Sequence, residues 1–191
     1  LRFGQPSKDV CYIIPELFPF TDTEQNDPIT GQIGGLLDTM LEQGQVPKIM
    51  FTNTSAEYWR GDAALIHCDL DTMSDATESS YVRRYHFAGC QHGAGGFPPE
   101  QTRLSDGLRG QKPFNCVDYT PLLRAALINL DNWVSTGTEP PASRHPSLDR
   151  GTAVESKVVM AKFAELPGLR TPPELTRAMR LYYGDEVHLG R

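Results

Sequence analysis

Apolar positions divide the chain into two helical and two extended segments. Five apolar residues between positions 33 and 41 recur at helical spacing before Gly44, which predicts an amphipathic helix of about three turns. Residues 48–53 form an apolar strand pattern typical of burial on both faces, and residues 81–88 form a second, partly alternating one. Thr120 and Pro121 predict the N-cap and first position of a helix whose apolar stripe covers 122–134. This order of elements indicates an α/β fold.

The flanking segments are irregular. Residues 1–30 are rich in proline and acidic side chains and predict a surface loop with a short strand at 10–14. Residues 54–80 form a polar segment with a short helix predicted near Ala63. Residues 138–191 form a tail interrupted by prolines, with a strand predicted at 158–163. Two strands and two helices in 31–137 do not make a complete sheet. We therefore expect the last portion of one larger domain, incomplete at both ends, with further strands before Leu1 or on a second chain.

Composition narrows the classes of function. The 191 residues carry a net charge of −6 with 39% apolar residues, which fits a globular chain and offers no basic surface for nucleic acid. No apolar run approaches the ~18 residues of a membrane span. The four cysteines include no C-x-x-C pair, so a disulfide framework is not expected. The compartment stays undetermined, because a signal peptide would precede residue 1.

An acid and a histidine follow the two predicted strands. Glu57 lies on the turn after 48–53, and His92 lies on the turn after 81–88. The carboxyl ends of parallel strands meet at one edge of a sheet, and Ser…Asp/Glu…His is the triad order of α/β-hydrolases. Glu57 and His92 are therefore the candidate orienting acid and general base. Asp62 and Asp69 are nearby alternatives for the acid. The alternative for His92 is a loop histidine without a functional role.

Other groups of residues give weaker signals of a functional site. Cys90 is close enough to His92 to suggest a thiol nucleophile, but a small buried thiol at a strand end explains it better. His86, Cys90 and His92 could be imagined as metal ligands with His67 or Cys68, although strand alternation separates His86 from the other two. The glycines of 93–96 lack the lysine and helix of a phosphate loop. We predict no metal and no cofactor.

Several longer segments support a family resemblance. They are Glu16-Leu17-Phe18-Pro19-Phe20-Thr21-Asp22, Pro47-Lys48-Ile49-Met50-Phe51-Thr52-Asn53-Thr54-Ser55-Ala56-Glu57-Tyr58-Trp59-Arg60, Leu65-Ile66-His67-Cys68-Asp69, Tyr85-His86-Phe87-Ala88-Gly89-Cys90-Gln91-His92-Gly93 and Asp118-Tyr119-Thr120-Pro121-Leu122-Leu123-Arg124-Ala125. Together they resemble bacterial alpha/beta hydrolase domain-containing proteins, in order from about Arg2 to Tyr183. The resemblance implies the C-terminal part of an α/β-hydrolase fold, with Glu57 on the acid turn and His92 on the histidine turn.

The resemblance also implies a function. No Gly-x-Ser-x-Gly occurs in the chain, so the nucleophile and the oxyanion hole are expected upstream. We expect a serine hydrolase acting on a small-molecule carboxylic ester, with the chain alone inactive. The alternative is a non-catalytic, hydrolase-like binding or scaffold protein, and the residues before Leu1 would decide between them.

Two structural expectations follow. A carboxylate oxygen of Glu57 should lie roughly 2.6–3.2 Å from a ring nitrogen of His92. The helices at 33–41 and 122–134, together with one edge of the sheet, should expose apolar surface larger than the few hundred Å² usual for a monomer.

Overall fold

Two parallel strands, Ile49–Thr54 and Val82–Phe87, form the centre of the structure. The structure is a computed structural model and describes residues 18–60, 63–103, 107–173 and 175. The elements are β1 (Gln25–Asn26), β2 (Ile33–Gly34), α1 (Asp38–Glu42), β3 (Ile49–Thr54), α2 (Ser55–Arg60), a 3-10 turn (Ala64–Ile66), β4 (Cys68–Asp69), β5 (Ser74–Asp75), β6 (Val82–Phe87), β7 (Thr102–Arg103), β8 (Leu108–Arg109), α3 (Thr120–Thr136) and α4 (Ser156–Ala164).

β3 and β6 pair in register from end to end. Ile49 lies opposite Val82, and Thr54 lies opposite Phe87, so both strands finish at the same level. The predictions of strands at 48–53 and 81–88 are confirmed to within one residue at each end. β1–β2, β4–β5 and β7–β8 are two-residue antiparallel pairs. The chain near Arg144 adds a one-residue parallel bridge to β6.

The prediction of a helix over 33–41 is wrong in its first half. Ile33 and Gly34 pair with β1 instead, and α1 begins only at Asp38. Gly35 explains the break, because a Cβ there would lie 2.7 Å from the backbone of Thr23. A hydrogen bond also holds Gly35 in this position, because its amide donates to Asp38 Oδ2 at 2.6 Å. Tertiary contact therefore overrides the helical spacing, while the predicted stop at Gly44 (φ +67°) is confirmed.

Two more helices differ from the sequence prediction. α2 begins directly at the end of β3, where a turn was expected. Residues 158–163, predicted as a strand, belong to α4. Met160, Ala161 and Lys162 are good helix formers, and Phe163 packs against Trp59 with 5.6 Å between ring centroids. The short helix near Ala63 is confirmed as the 3-10 turn, and the strand predicted at 10–14 lies outside the described residues.

The helix predicted after Thr120 is confirmed with a shift of one position at its start. Tyr119 is the N-cap, Thr120 and Pro121 open α3, and Gly137 ends it in the left-handed conformation. α3 packs against β3, and Trp133 is its buried residue. The Lys48 ammonium stands 4.4 Å from the centroid of the Trp133 ring, which covers the aromatic face with a cation.

A buried ion pair joins the N-terminal segment to β6. Arg84 and Asp22 are each 1% exposed, and the Arg84 guanidinium donates to Asp22 Oδ1. Asp22 Oδ2 also accepts the Ser79 amide at 2.7 Å. Burial lowers the pKa of Arg84 to about 10, which leaves it charged at neutral pH. The pair therefore holds residues near Asp22 against the central strand.

We expect Asp22→Ala to lower the free energy of unfolding by about 3–5 kcal/mol, because it leaves the Arg84 charge buried without its carboxylate. Urea unfolding measures this loss. The control is Glu42→Ala, an exposed acid on α1, which should change stability by less than about 0.5 kcal/mol. A loss under about 1 kcal/mol for Asp22→Ala would show that the ion pair does not anchor the segment.

The outer face of α3 exposes large apolar side chains. Leu127 is 66% exposed and Ile128 is 61% exposed, and Leu122, Leu123 and Val134 are also on the surface. Leu36, Met40 and Leu41 near α1 are exposed as well. The sheet order pairs β3 with β6 alone among the described strands, so the other edge of β3 has no strand partner there. These observations agree with the expected exposure, and the area of the patch stays a prediction.

Replacing Leu127 with Glu and Ile128 with Lys together should reduce self-association of the 191-residue chain, because contiguous exposed apolar surface drives association. The net charge is unchanged, and stability should shift by less than about 0.5 kcal/mol. Sedimentation velocity reports the association. The matched control places the same charges at Ala125 and Asn132, exposed positions on the same helix, and should associate like the original chain. Equal association of all three would exclude this face as the cause.

Candidate active site

Glu57 is held by the residue that joins β3 to α2. The Thr54 amide and the Thr54 hydroxyl both donate to Glu57 Oε2 at 2.6 Å. The Ala56 amide donates back to Thr54 Oγ1 at 3.3 Å. This reciprocal pattern is a capping box, in which a threonine and a glutamate three residues later satisfy the first amides of a helix. Local sequence therefore fixes the position of the carboxylate at the strand end.

The carboxylate is buried and still ionised. Glu57 is 7% exposed, and burial alone would raise its pKa. Hydrogen bonds from the Thr54 hydroxyl, from His92 and from the Thr54 amide outweigh burial, so the pKa of Glu57 lies below its ordinary value. A carboxylate that keeps its charge in a buried place can hold and stabilise an imidazolium.

His92 lies on a turn that is held through its backbone. Gly89 has a φ of +77°, in the region that favours glycine. The Tyr119 hydroxyl donates to the backbone carbonyl of His92, which joins the turn to the start of α3. The His92 side chain itself is 73% exposed.

The two side chains meet where the strands end. Glu57 Oε1 lies 2.7 Å from His92 Nδ1, so the expected distance is confirmed. Because Nδ1–H donates to the carboxylate, the neutral ring carries its lone pair on Nε2. Among the described residues, none is hydrogen-bonded to Nε2.

Asp69, the alternative acid that the structure describes, does not take this place. Asp69 Oδ1 accepts the amides of Asp71 and Thr72 in its own turn, and these bonds help hold the pKa of Asp69 low. Asp62 lies outside the described residues. Among the carboxylates that the structure describes, Glu57 is the one bonded to His92.

Cys90 has the environment of a structural thiol. It is 5% exposed, and burial together with the charge of Asp118 raises the pKa of its thiol. A thiol with a raised pKa stays protonated at neutral pH and is a poor nucleophile. The packing explanation of Cys90 is therefore favoured over a catalytic one.

Two other histidines are hydrogen-bonded to neighbouring side chains. His67 is 1% exposed and its Nε2 lies 2.7 Å from the Tyr58 hydroxyl oxygen, while burial and the neighbouring His145 lower the pKa of His67 to about 4. His86 Nε2 is 3.2 Å from Ser55 Oγ. In the described part of the chain, no three His, Cys, Asp or Glu side chains are grouped as ligands for a metal ion.

Sequence reasoning missed the residues that hold the pair in place. The sequence pattern assigns Thr54 to the polar segment 54–80, but Thr54-Ser55-Ala56-Glu57 carries the T-x-x-E signal of a capping box and could have revealed α2. Tyr119 and Ser55 carry no such local signal. Their contacts with His92 and with Gly89 span 27 and 34 residues of sequence, and only the folded chain brings them together.

One of three comparisons with known proteins finds a match. Residues 17–188 match the family described as "Alpha/beta hydrolase domain". No curated protein and no solved structure matches the chain. Across the helices that the structure describes, none is both long and apolar enough to cross a membrane.

Removing the Thr54 hydroxyl tests the capping box. Thr54→Val should raise the pKa of Glu57, because the ionised carboxylate loses one donor. The native-state pKa lies below its unfolded value, so the stabilisation is present above the unfolded pKa and is lost as pH falls through the native one. Carboxyl NMR titration measures the pKa.

At neutral pH we expect Thr54→Val to reduce the free energy of unfolding by about 1.5–3 kcal/mol, the range for a hydrogen bond to a charged group. Thr52→Val, at an exposed position of β3, is the matched control and should leave the pKa of Glu57 unchanged. An unchanged pKa in Thr54→Val would mean that the amide and His92 suffice to hold the carboxylate.

Proposed function

Because this chain belongs to the alpha/beta hydrolase domain family, we propose that it supplies the acid and the histidine of a serine hydrolase. The contact between Glu57 Oε1 and His92 Nδ1 carries the proposal. It lies past the carboxyl ends of two adjacent parallel strands, where catalytic side chains of α/β proteins stand. The acid precedes the histidine in the chain, as in α/β-hydrolases.

His92 acts as the base and then as the acid. Its Nε2 removes the proton of a serine hydroxyl as the oxygen attacks the substrate carbonyl, and the resulting imidazolium gives that proton to the leaving group. Glu57 keeps the proton of the neutral ring on Nδ1 and stabilises the imidazolium. The lowered pKa of Glu57 suits this role, because the carboxylate stays charged throughout.

We place the serine nucleophile before residue 1. The sequence contains no Gly-x-Ser-x-Gly, the motif that carries the serine and one donor of the oxyanion hole. On this proposal the chain is the C-terminal part of the hydrolase domain. It should be inactive by itself, since nothing attacks the carbonyl or stabilises the tetrahedral intermediate. Carboxylic esters are proposed as substrates by analogy with the fold.

The test uses the protein expressed from its complete reading frame, with a p-nitrophenyl ester as substrate. His92→Ala should lower kcat by about 10⁶-fold because it removes the base, and Glu57→Gln should lower kcat by about 10⁴-fold because it favours the wrong tautomer. Asp69→Asn is the matched control, since this acid is bonded within its own turn, and it should retain activity.

Two results would refute the proposal. One is ester hydrolysis by residues 1–191 alone that exceeds the buffer rate and disappears with His92→Ala, which would place the nucleophile inside the chain. The other is a complete protein that neither hydrolyses esters nor reacts with a fluorophosphonate. That outcome would favour a hydrolase-like binding or scaffold protein.

A further inference from the structure

Ser55 connects the turn that carries the acid to the turn that carries the histidine. It is the first residue of α2 and directly follows Thr54, which holds Glu57. Its Oγ accepts the amide of Gly89 at 2.9 Å and lies 3.2 Å from His86 Nε2. Gly89 opens the turn that leads to His92. One hydroxyl thus bonds across the ends of β3 and β6.

The Ser55 hydroxyl has room for both partners. An amide can only donate, so Ser55 Oγ accepts from Gly89, and its hydrogen and second lone pair remain for the contact with His86 Nε2. The Tyr58 ring packs on His86 with 4.5 Å between centroids. Burial lowers the pKa of His86, the charge of Glu57 opposes this, and His145 adds to it.

We propose that Ser55, with His86 as its second hydrogen-bond partner, is a positioning residue that sets the register between Glu57 and His92. This inference rests on the proposed function. The reason is geometric: the His92 side chain is largely exposed, so its turn must be held through the backbone. The hydrogen bond from the Gly89 amide to Ser55 Oγ joins α2, which carries Glu57, to the turn that carries His92.

Ser55 differs from a nucleophile. Its oxygen is bonded to His86, whereas Glu57 orients His92. A nucleophile elbow is a sharp, strained turn. Among the described residues other than glycine, positive φ occurs at Met73, so Ser55 lacks that strain.

The experiment compares Ser55→Ala and Ser55→Thr in the protein expressed from its complete reading frame. Ser55→Ala should lower kcat about 10- to 100-fold with little change in KM, because a small misplacement of catalytic groups has effects up to about 10²-fold. Ser55→Thr keeps the hydroxyl and should restore most of kcat. Ser135→Ala, an exposed serine on α3, is the matched control and should behave like the original protein.

A second readout does not need activity. Two-bond ¹H–¹⁵N NMR of the His92 ring reports the share of the tautomer protonated at Nδ1, and this share should fall in Ser55→Ala and recover in Ser55→Thr. His86→Phe removes the second hydrogen-bond partner of Ser55 and should reproduce the Ser55→Ala result. The double variant should lose no more than either single one, because the two side chains act as a unit.

The outcomes separate the proposals. Unchanged kcat and unchanged tautomer in Ser55→Ala would overturn the positioning role. Loss of fluorophosphonate labelling in a folded Ser55→Ala would identify Ser55 as the nucleophile and overturn it too. If the original protein is inactive and unlabelled, the proposed function fails, and the tautomer measurement alone decides whether Ser55 positions His92.

Discussion

Parallel pairing of β3 with β6 is the constraint on which the site depends. Because Thr54 lies opposite Phe87, both strands end at one level, and the residues that follow them enter the same space. Glu57 comes three residues after one strand and His92 five after the other. A shift of register by one residue would reverse the side chains of the strand and separate the turns. Backbone hydrogen bonds thus set the distance between two groups 35 residues apart.

Local hydrogen bonds then orient the side chains that the sheet brings close together. The capping box holds the Glu57 carboxylate against Thr54, and the carboxylate in turn satisfies an amide at the start of α2. A buried charge is costly unless it is bonded. Glu57 meets this condition with three donors, so the bonds that begin a helix also keep the acid ionised and aimed at His92.

The described core is small and unusually polar. Leu37, Val82 and Trp133 are buried, but so are Asp22, Arg84 and other polar side chains, among them Thr21, Gln25, Asp27, His67 and Ser147. Ion pairs and hydrogen bonds therefore hold the loops to the central strands. Much of the apolar surface of α3 faces outward instead. This distribution is consistent with the proposal that the chain is part of a larger hydrolase domain.

Sequence by itself determined the two central strands and the long helix α3, and it made Glu57 and His92 candidate partners with Asp62 and Asp69 as alternative acids. These signals are local or follow from strand ends, since apolar runs and the N-terminal proline of α3 need no distant contact. Tertiary structure decided that Ile33–Gly34 is a strand, because Gly35 packs against the Thr23 backbone. It also decided the contacts of Ser55, Tyr119 and Arg84. Each of these joins segments far apart in the chain, and no pattern of neighbouring residues encodes such a meeting.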